Sequence, residues 1–122
     1  MKNELKTIVE YYDNEQKMTE TNFKNGKQEG LVTFWYENGQ KHFEGNFKDG
    51  KKDGLFTFWY KNGQKMAEVN FKNGKQDGIL TSWYENGQKW FEGNLKNGMK
   101  DGSYKLEEWL EEKERWIVYL MV

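Results

Sequence analysis

Short runs of apolar and β-branched residues alternate along the chain with pairs of turn-forming residues. In residues 31–36 (LVTFWY) every side chain is aromatic, β-branched or leucine, a composition typical of strands. Asn38-Gly39 follows, and residues 41–47 (KHFEGNF) form a second, alternating run. An Asn-Gly pair between two such runs favours a type I′ hairpin turn, in which both central residues have positive φ. A longer glycine-containing loop, residues 48–54, then leads to the next hairpin.

The same hairpin pattern recurs every 24 residues, which is the spacing of Trp35, Trp59 and Trp83. The N-terminal copy is degenerate, because Tyr11 replaces the tryptophan and Glu15 replaces the turn glycine. Two glycine turns in each repeat leave no space for a stable helix, and such repeats stack into one array. The pattern predicts an all-β fold: a single-layer antiparallel meander sheet of tandem hairpins, with about nine strands and a length of roughly 40 Å. The modules are residues 7–30, 31–54, 55–78 and 79–102.

Alternation along the strands divides the side chains between the two faces of the sheet. A two-residue turn places Phe34 opposite Phe43 and Tyr36 opposite Lys41. A three-residue turn shifts this assignment by one residue, so both registers remain open from sequence. With the two-residue turn, the nearly all-apolar face carries Val32, Phe34, Tyr36, Phe43, Gly45 and Phe47, and the mixed face carries Leu31, Thr33, Trp35, His42, Glu44 and Asn46.

Residues 103–122 lack the repeat and follow a different pattern. Apolar residues between Leu106 and Leu120 recur near helical spacing, with glutamates between them. This spacing favours a helix over about 105–118 that caps the last strand edge, and the alternative is a strand pair, 103–109 with 115–121. With this C-terminal cap, the chain is predicted to form one repeat domain over residues 1–122.

Composition and charge narrow the possible functions. The chain has 19 basic and 20 acidic residues, a net charge of −1, and Arg115 as its single arginine. This balance lacks the positive field of a nucleic-acid-binding protein. No apolar run approaches the roughly 20 residues that span a bilayer, so no transmembrane segment is predicted. Residues 1–10 lack the apolar segment of a signal peptide, so we expect a cytoplasmic location, or a secreted or envelope-associated one if a leader was removed.

The sequence offers no residue set suited to catalysis or metal binding. The absence of cysteine excludes disulfides and thiolate metal sites. His42, the single histidine, aligns with Met18, Met66 and Trp90, so its position is a packing position. Repeated carboxylates such as Glu44 each have a lysine nearby and recur at distances too large to share one cation. We therefore predict a protein that is not an enzyme and holds no cofactor or metal.

The repeated motif W-Y-x-N-G-Q-K, followed by N-F-K-N-G-K-x-D-G, resembles the MORN repeat variant. This is the bacterial form found in proteins described as YwqK-like antitoxins, and the resemblance covers residues 7–102. It implies an elongated single-layer sheet, often curved into a trough. It also implies binding to another protein in the manner of an antitoxin or immunity protein. The alternative that it implies is a structural or cell-envelope-associated scaffolding module.

Aromatic side chains that recur in every complete module are the candidate partner-binding residues. Rigid exposed rings are typical anchors of protein interfaces. A ladder of rings that only stabilises the sheet is the competing interpretation. The expected partner is another protein and not a nucleic acid, while peripheral membrane contact stays open. The candidates are Trp35, Trp59, Trp83, Tyr36, Tyr60 and Tyr84.

Overall fold

A computed structural model describes residues 4–96, 99–100 and 104–105 of the chain. Over these residues the protein is all-β, without a helix, and the strands form one antiparallel sheet. Apart from Tyr104–Lys105, the predicted C-terminal cap lies outside the described residues. The strands are β1 (Leu5–Tyr11), β2 (Lys17–Lys24), β3 (Lys27–Gln28), β4 (Gly30–Trp35), β5 (Lys41–Lys48), β6 (Lys51–Lys52), β7 (Gly54–Trp59), β8 (Lys65–Lys72), β9 (Lys75–Trp83), β10 (Lys89–Lys96), β11 (Met99–Lys100) and β12 (Tyr104–Lys105).

The sheet is an open meander, as the repeat pattern predicted. Its strand order is β1-β2-β4-β5-β7-β8-β9-β10-β11-β12, with the short strands β3 and β6 paired to β2 and β5. Each module supplies one long hairpin and a shorter return hairpin. The short return segment of the second complete module and the first long strand of the third merge into the continuous strand β9.

The Asn38-Gly39 turn differs from the predicted type I′ turn. Only Gly39 has positive φ, at 90°. Tyr36 N–H donates to the Gln40 carbonyl at 2.9 Å, and Gly39 N–H donates to the Tyr36 carbonyl at 3.0 Å. The loop therefore contains three residues and combines a type I turn with a left-handed glycine. Asn38 stays at negative φ because its Oδ1 accepts from Gln40 N–H at 2.9 Å, a local bond that fixes the turn.

The type I′ turns lie instead in the segments that were predicted to be longer loops. Asn25-Gly26, Asp49-Gly50 and Asn73-Gly74 have positive φ at both residues, between 52° and 84°. The flanking lysines pair directly, as Lys48 does with Lys51, so each connection is a two-residue hairpin. Gly54, with φ of 86°, then redirects the chain from β6 into β7.

A bulge at the end of each long hairpin makes the observed strand register differ from the predicted one. Phe34 pairs with Phe43 as predicted, but Trp35, not Tyr36, pairs with Lys41, and His42 is the extra residue. Its equivalent Met66 is buried in the core. The two-residue turn placed position 42 on the mixed face, and that placement is wrong because the bulge turns this side chain to the core face.

The core lies on the predicted apolar face of the single layer. Because the described residues form no second layer over this face, side chains of neighbouring strands cover one another. The ring of Phe56 lies across Gly45, where a Cβ atom would be 2.4 Å from its Cδ2 atom. The aromatic rings pack at tilted and edge-on angles, with the centroids of Phe43 and Phe58 5.0 Å apart. The buried core residues are Val32, Phe43, Phe56, Phe58, Met66, Ala67, Val69, Phe71 and Leu80.

The left-handed turn position gives a paired stability prediction. Gly63 has φ of 90°, and Glu15 holds the equivalent position in the first module at 72°. We expect Gly63→Ala to destabilise the protein and Glu15→Gly to stabilise it, each by about 1 kcal/mol, because only glycine adopts this conformation without strain. Thermal or urea unfolding of the two variants measures both effects. Two shifts of the same sign contradict the assignment.

Candidate functional site

The face opposite the core carries three ordered rows of side chains, which we call the tryptophan face. Each complete module contributes one pair to every row. In the strand register, Leu31 is paired with Asn46, Thr33 with Glu44, and Trp35 with Lys41. The next modules repeat the three pairs as Leu55–Asn70, Thr57–Glu68 and Trp59–Lys65, then Ile79–Asn94, Thr81–Glu92 and Trp83–Lys89. Two strands per module set the rows to repeat about every 10 Å along the sheet.

The tryptophan row is locked by lysines of the preceding module. Lys41 Nζ lies 5.9 Å from the ring centroid of Trp59, within the range of a cation–π contact. The same ammonium group donates to Glu44 at 3.0 Å, which neutralises its charge. Lys17 and Lys65 hold the same positions over Trp35 and Trp83, at 5.7 and 5.9 Å. All three tryptophans are half-buried.

In the middle row, the glutamate carboxylates are held in place by neighbouring side chains. Thr33 Oγ1 donates to Glu44 Oε2 at 3.3 Å, and Thr33 itself is buried. Glu44 therefore accepts from a threonine and from Lys41 at once. Because both partners are held by the strand register, the carboxylate has little freedom. These carboxylates are set up to position lysines on the sheet surface.

The outer row is the apolar part of the tryptophan face. Leu31, Leu55 and Ile79 are 48%, 54% and 54% exposed. Each is paired with an asparagine in the strand register, and on the neighbouring strand β2 the Nδ2 group of Asn22 donates to the Leu31 carbonyl at 2.7 Å. The three aliphatic side chains are exposed on the surface of the sheet. A regular row of exposed aliphatic residues is a feature of binding surfaces.

The tyrosines lie on the core side and connect one module to the next. Tyr36 Oη donates to the carbonyl of Trp59 at 2.7 Å, and Tyr36 is only 9% exposed. Tyr60 makes the same bond to the Trp83 carbonyl at 2.8 Å and packs against the core. Tyr84 is 46% exposed. The sheet thus places the six candidate rings on two faces, tryptophans on one and tyrosines on the other.

The asparagine of the Asn-Gly turn makes a second connection between modules. Asn38 Nδ2 donates to the Lys61 carbonyl at 3.0 Å, while its Oδ1 closes its own turn. Asn62 and Asn14 make the equivalent bonds to the carbonyls of Glu85 and Glu37. Sequence reasoning gave these residues a turn role only. The signal for the second role was their recurrence beside the tyrosine at the module spacing.

His42 stacks on Tyr36 with ring centroids 3.9 Å apart. Burial, and secondly the charge of Lys61, lowers the pKa of His42 from 6.5 to about 4. Proton uptake by this imidazole therefore opposes folding. Stability from the neutral ring is complete above pH 6.5 and declines as the pH falls toward 4.

We therefore expect the parent protein to lose roughly 1–2 kcal/mol more stability between neutral pH and pH about 4 than His42→Met, with solvent screening allowed for. Methionine suits this position, because Met66 occupies the equivalent site in the core. Urea unfolding across the pH range measures the difference. Parallel pH curves for the two proteins contradict this role for His42.

Among the described residues, no three or more histidine, cysteine, aspartate or glutamate side chains are grouped so as to hold a metal ion. The described residues also form no helix with the length and hydropathy needed to cross a membrane. The surface geometry is therefore that of a repeated, fixed pattern of rings, aliphatic groups and ion pairs. Such a pattern suits recognition of another surface.

Comparison with known proteins supports this description. The MORN repeat variant matches the chain at residues 28–49, 52–73 and 76–97, three tandem copies that make up more than half of its length. Neither a curated protein nor a solved structure matches the chain. MORN repeats are non-catalytic modules that generally bind proteins or membranes. The chain belongs to the MORN repeat variant family.

Proposed function

We propose that the protein is a binding module that recognises another protein through its tryptophan face. The observation that carries this proposal is the row of exposed aliphatic residues, Leu31, Leu55 and Ile79, beside the row of half-buried tryptophans. Aromatic anchors beside aliphatic contact area are typical of protein interfaces. The opposite face is occupied by the core and offers less of its surface to a partner.

Rigidity of the tryptophan face supports tight recognition. Lys41, Glu44 and Thr33 are joined by hydrogen bonds, and the lysine lies over the next tryptophan. These contacts order the side chains before a partner arrives. Because folding has already ordered these side chains, binding of a partner loses less side-chain conformational entropy, and less of the binding free energy is lost.

Charge favours a protein over a polyanionic partner. Four lysines of the repeats are paired with glutamates three residues later, from Lys17–Glu20 to Lys89–Glu92. The net charge of the chain is −1. Binding to nucleic acid or to an anionic membrane depends on unpaired positive charge. These four lysines are instead directed to glutamates, and Lys17, Lys41 and Lys65 also lie over tryptophan rings.

We further propose an antitoxin or immunity role in the cytoplasm, with another protein as the partner. This finer role rests on the resemblance of the repeat motif to YwqK-like antitoxins. A structural module of the cell envelope is the alternative. Fractionation of source cells combined with co-expression of a candidate toxin separates the two: rescue of growth supports the antitoxin role, and envelope recovery without rescue supports the alternative.

The binding face is tested by one substitution on it and one away from it. We expect Leu55→Glu to abolish recovery of the partner in a pull-down from source cells, because it places a charge in the centre of the exposed aliphatic row. Lys61→Glu, in the Asn-Gly loop, introduces the same side chain outside the tryptophan face, with a larger change in net charge, and should retain the partner. Thermal melts confirm that both variants fold. Retention of the partner by Leu55→Glu contradicts the proposed face.

A further inference from the structure

The N-terminal edge of the sheet is an open strand with an unusual sequence. Among the described residues, β1 pairs with β2 alone, and its other side faces no strand. The strand has seven residues, LKTIVEY, without proline. Leu5, Ile8 and Tyr11 are 74%, 42% and 57% exposed. Long edges with exposed apolar residues are templates for pairing with another strand.

The backbone of β1 directs alternate residues to the open side. Asn25 N–H donates to the Glu4 carbonyl at 3.0 Å, and Tyr12 N–H donates to the Gln16 carbonyl at 2.8 Å. Residues 4 and 12 thus direct their backbone groups toward β2, and the even-numbered residues between them do the same. The odd-numbered residues 5, 7, 9 and 11 present N–H and C=O groups to the open edge. These four residues supply the donors and acceptors for a new ladder.

The sequence of β1 is complementary to itself in antiparallel orientation. A two-fold axis at Ile8 places Lys6 opposite Glu10 of a second copy, and Glu10 opposite its Lys6. Leu5 faces Tyr11 of the second copy in the same register. Opposite charges and aliphatic–aromatic pairs are the cross-strand combinations that stabilise antiparallel sheets. Lys6 makes no ion pair with another described residue, while the Glu10 carboxylate accepts only from Thr19 Oγ1 at 2.8 Å.

From this register we propose that the protein forms a two-fold homodimer in which β1 pairs antiparallel with β1 of a second copy. Two sheets join into one, and the four outward residues of each strand exchange eight backbone hydrogen bonds. The axis is perpendicular to the sheet, so both tryptophan faces lie on the same side of the dimer. A dimer therefore presents the recognition surface twice.

Packing on the core side of the edge fits the same arrangement. The side chains of Lys6, Ile8 and Glu10 share the face of Phe23, because they pair with Phe23, Thr21 and Thr19. This edge has threonines where the next module has Phe43 and Gly45, and Ile8 remains partly exposed. A shallow cavity of about 330 Å³ opens here, lined by Glu4, Lys6, Ile8, Phe23, Asn25 and Gly26. Ile8 of the second copy would close it and extend the core across the axis.

Reversal of the two charges tests the register. In sedimentation velocity over a dilution series, the parent should dimerise, and Lys6→Glu and Glu10→Lys should each raise the dimer dissociation constant about tenfold or more, because both charge pairs become repulsive. The two variants mixed together should recover dimerisation, since each heterodimer contains two attractive pairs. Lys6→Glu/Glu10→Lys should dimerise like the parent.

Three outcomes overturn the proposal: a parent that is monomeric throughout, single variants that dimerise as tightly as the parent, or a mixture that stays monomeric. Thermal melts of the single variants show whether the edge strand folds, and recovery in the mixture shows it independently. Pairing of β1 with another segment of the same chain predicts a monomer, so it counts against the dimer. Val9→Pro removes one outward N–H group without a loss on the β2 side and should also abolish the dimer.

Discussion

Trp59→Ala is expected to weaken binding of the protein partner by more than about 2 kcal/mol, the loss typical of an aromatic hot spot. Trp59 is half-buried in the central complete module, with Lys41 over its ring and Lys65 beside it in the register. A neighbouring tryptophan follows on each side of it along the row. The loss should therefore exceed that of a substitution at either end. Titration calorimetry with the partner recovered in the pull-down measures it.

The control for this prediction is Tyr11→Ala, which removes an exposed ring at the equivalent position of the degenerate first module. Its effect on affinity should be smaller, because the first module lacks the complete set of rows. Thermal melts must accompany both titrations, since Trp59 also contributes to the sheet through its contact with Lys41. If Trp59→Ala folds like the parent and binds equally well, the tryptophans serve the sheet alone and the tryptophan face is not the interface.

Gly45→Val should destabilise the protein by about 2 kcal/mol or more, the cost of overpacking a filled core. A Cβ atom at this position would stand 2.4 Å from Cδ2 of Phe56, and that ring is fully buried. The backbone of Gly45 is not in the positive-φ region, so the cost is one of space and not of conformation. Urea unfolding at neutral pH measures the change.

The next module shows how the same contact accommodates a valine. There Val69 lies opposite Leu80, and both residues are buried. Phe56→Leu should therefore recover at least about 1 kcal/mol of the stability lost in Gly45→Val, a coupling that a double-mutant cycle detects. Phe56→Leu alone should destabilise, because it leaves a gap over Gly45. A double variant no more stable than Gly45→Val contradicts this account of the core.

The repeat family, the 24-residue period and the apolar face of the sheet could all be predicted from local sequence patterns. A 24-residue repeat with two glycine turns predicts a stack of hairpins. The alternation of apolar and polar side chains on either side of the pair Phe34–Phe43 identified the core face. The degenerate first module was visible as the loss of its tryptophan and turn glycine. These features depend on residues close together in sequence, where side-chain periodicity and turn chemistry are decisive.

Turn type was not decided by the dipeptide alone. Asn38-Gly39 and Asn73-Gly74 have the same two residues, yet only the second pair forms a type I′ turn. The Oδ1 atom of Asn38 accepts a hydrogen bond within its own loop, and its Nδ2 group donates to the Lys61 carbonyl of the next module. That second bond exists only once the modules are stacked. A contact 23 residues away therefore helps to select the three-residue loop.

The sequence by itself determined a meander of repeated hairpins, with one apolar face and a recurring row of tryptophans. The tertiary structure decided the rest: the bulge that turns position 42 to the core side, the Tyr36 hydroxyl bonded to the Trp59 carbonyl, and the lysine placed over each tryptophan. Each of these depends on where one module lies against the next. The physical reason is that periodicity reports on neighbours along a strand, whereas these contacts join strands of different modules and form only when the sheet is assembled.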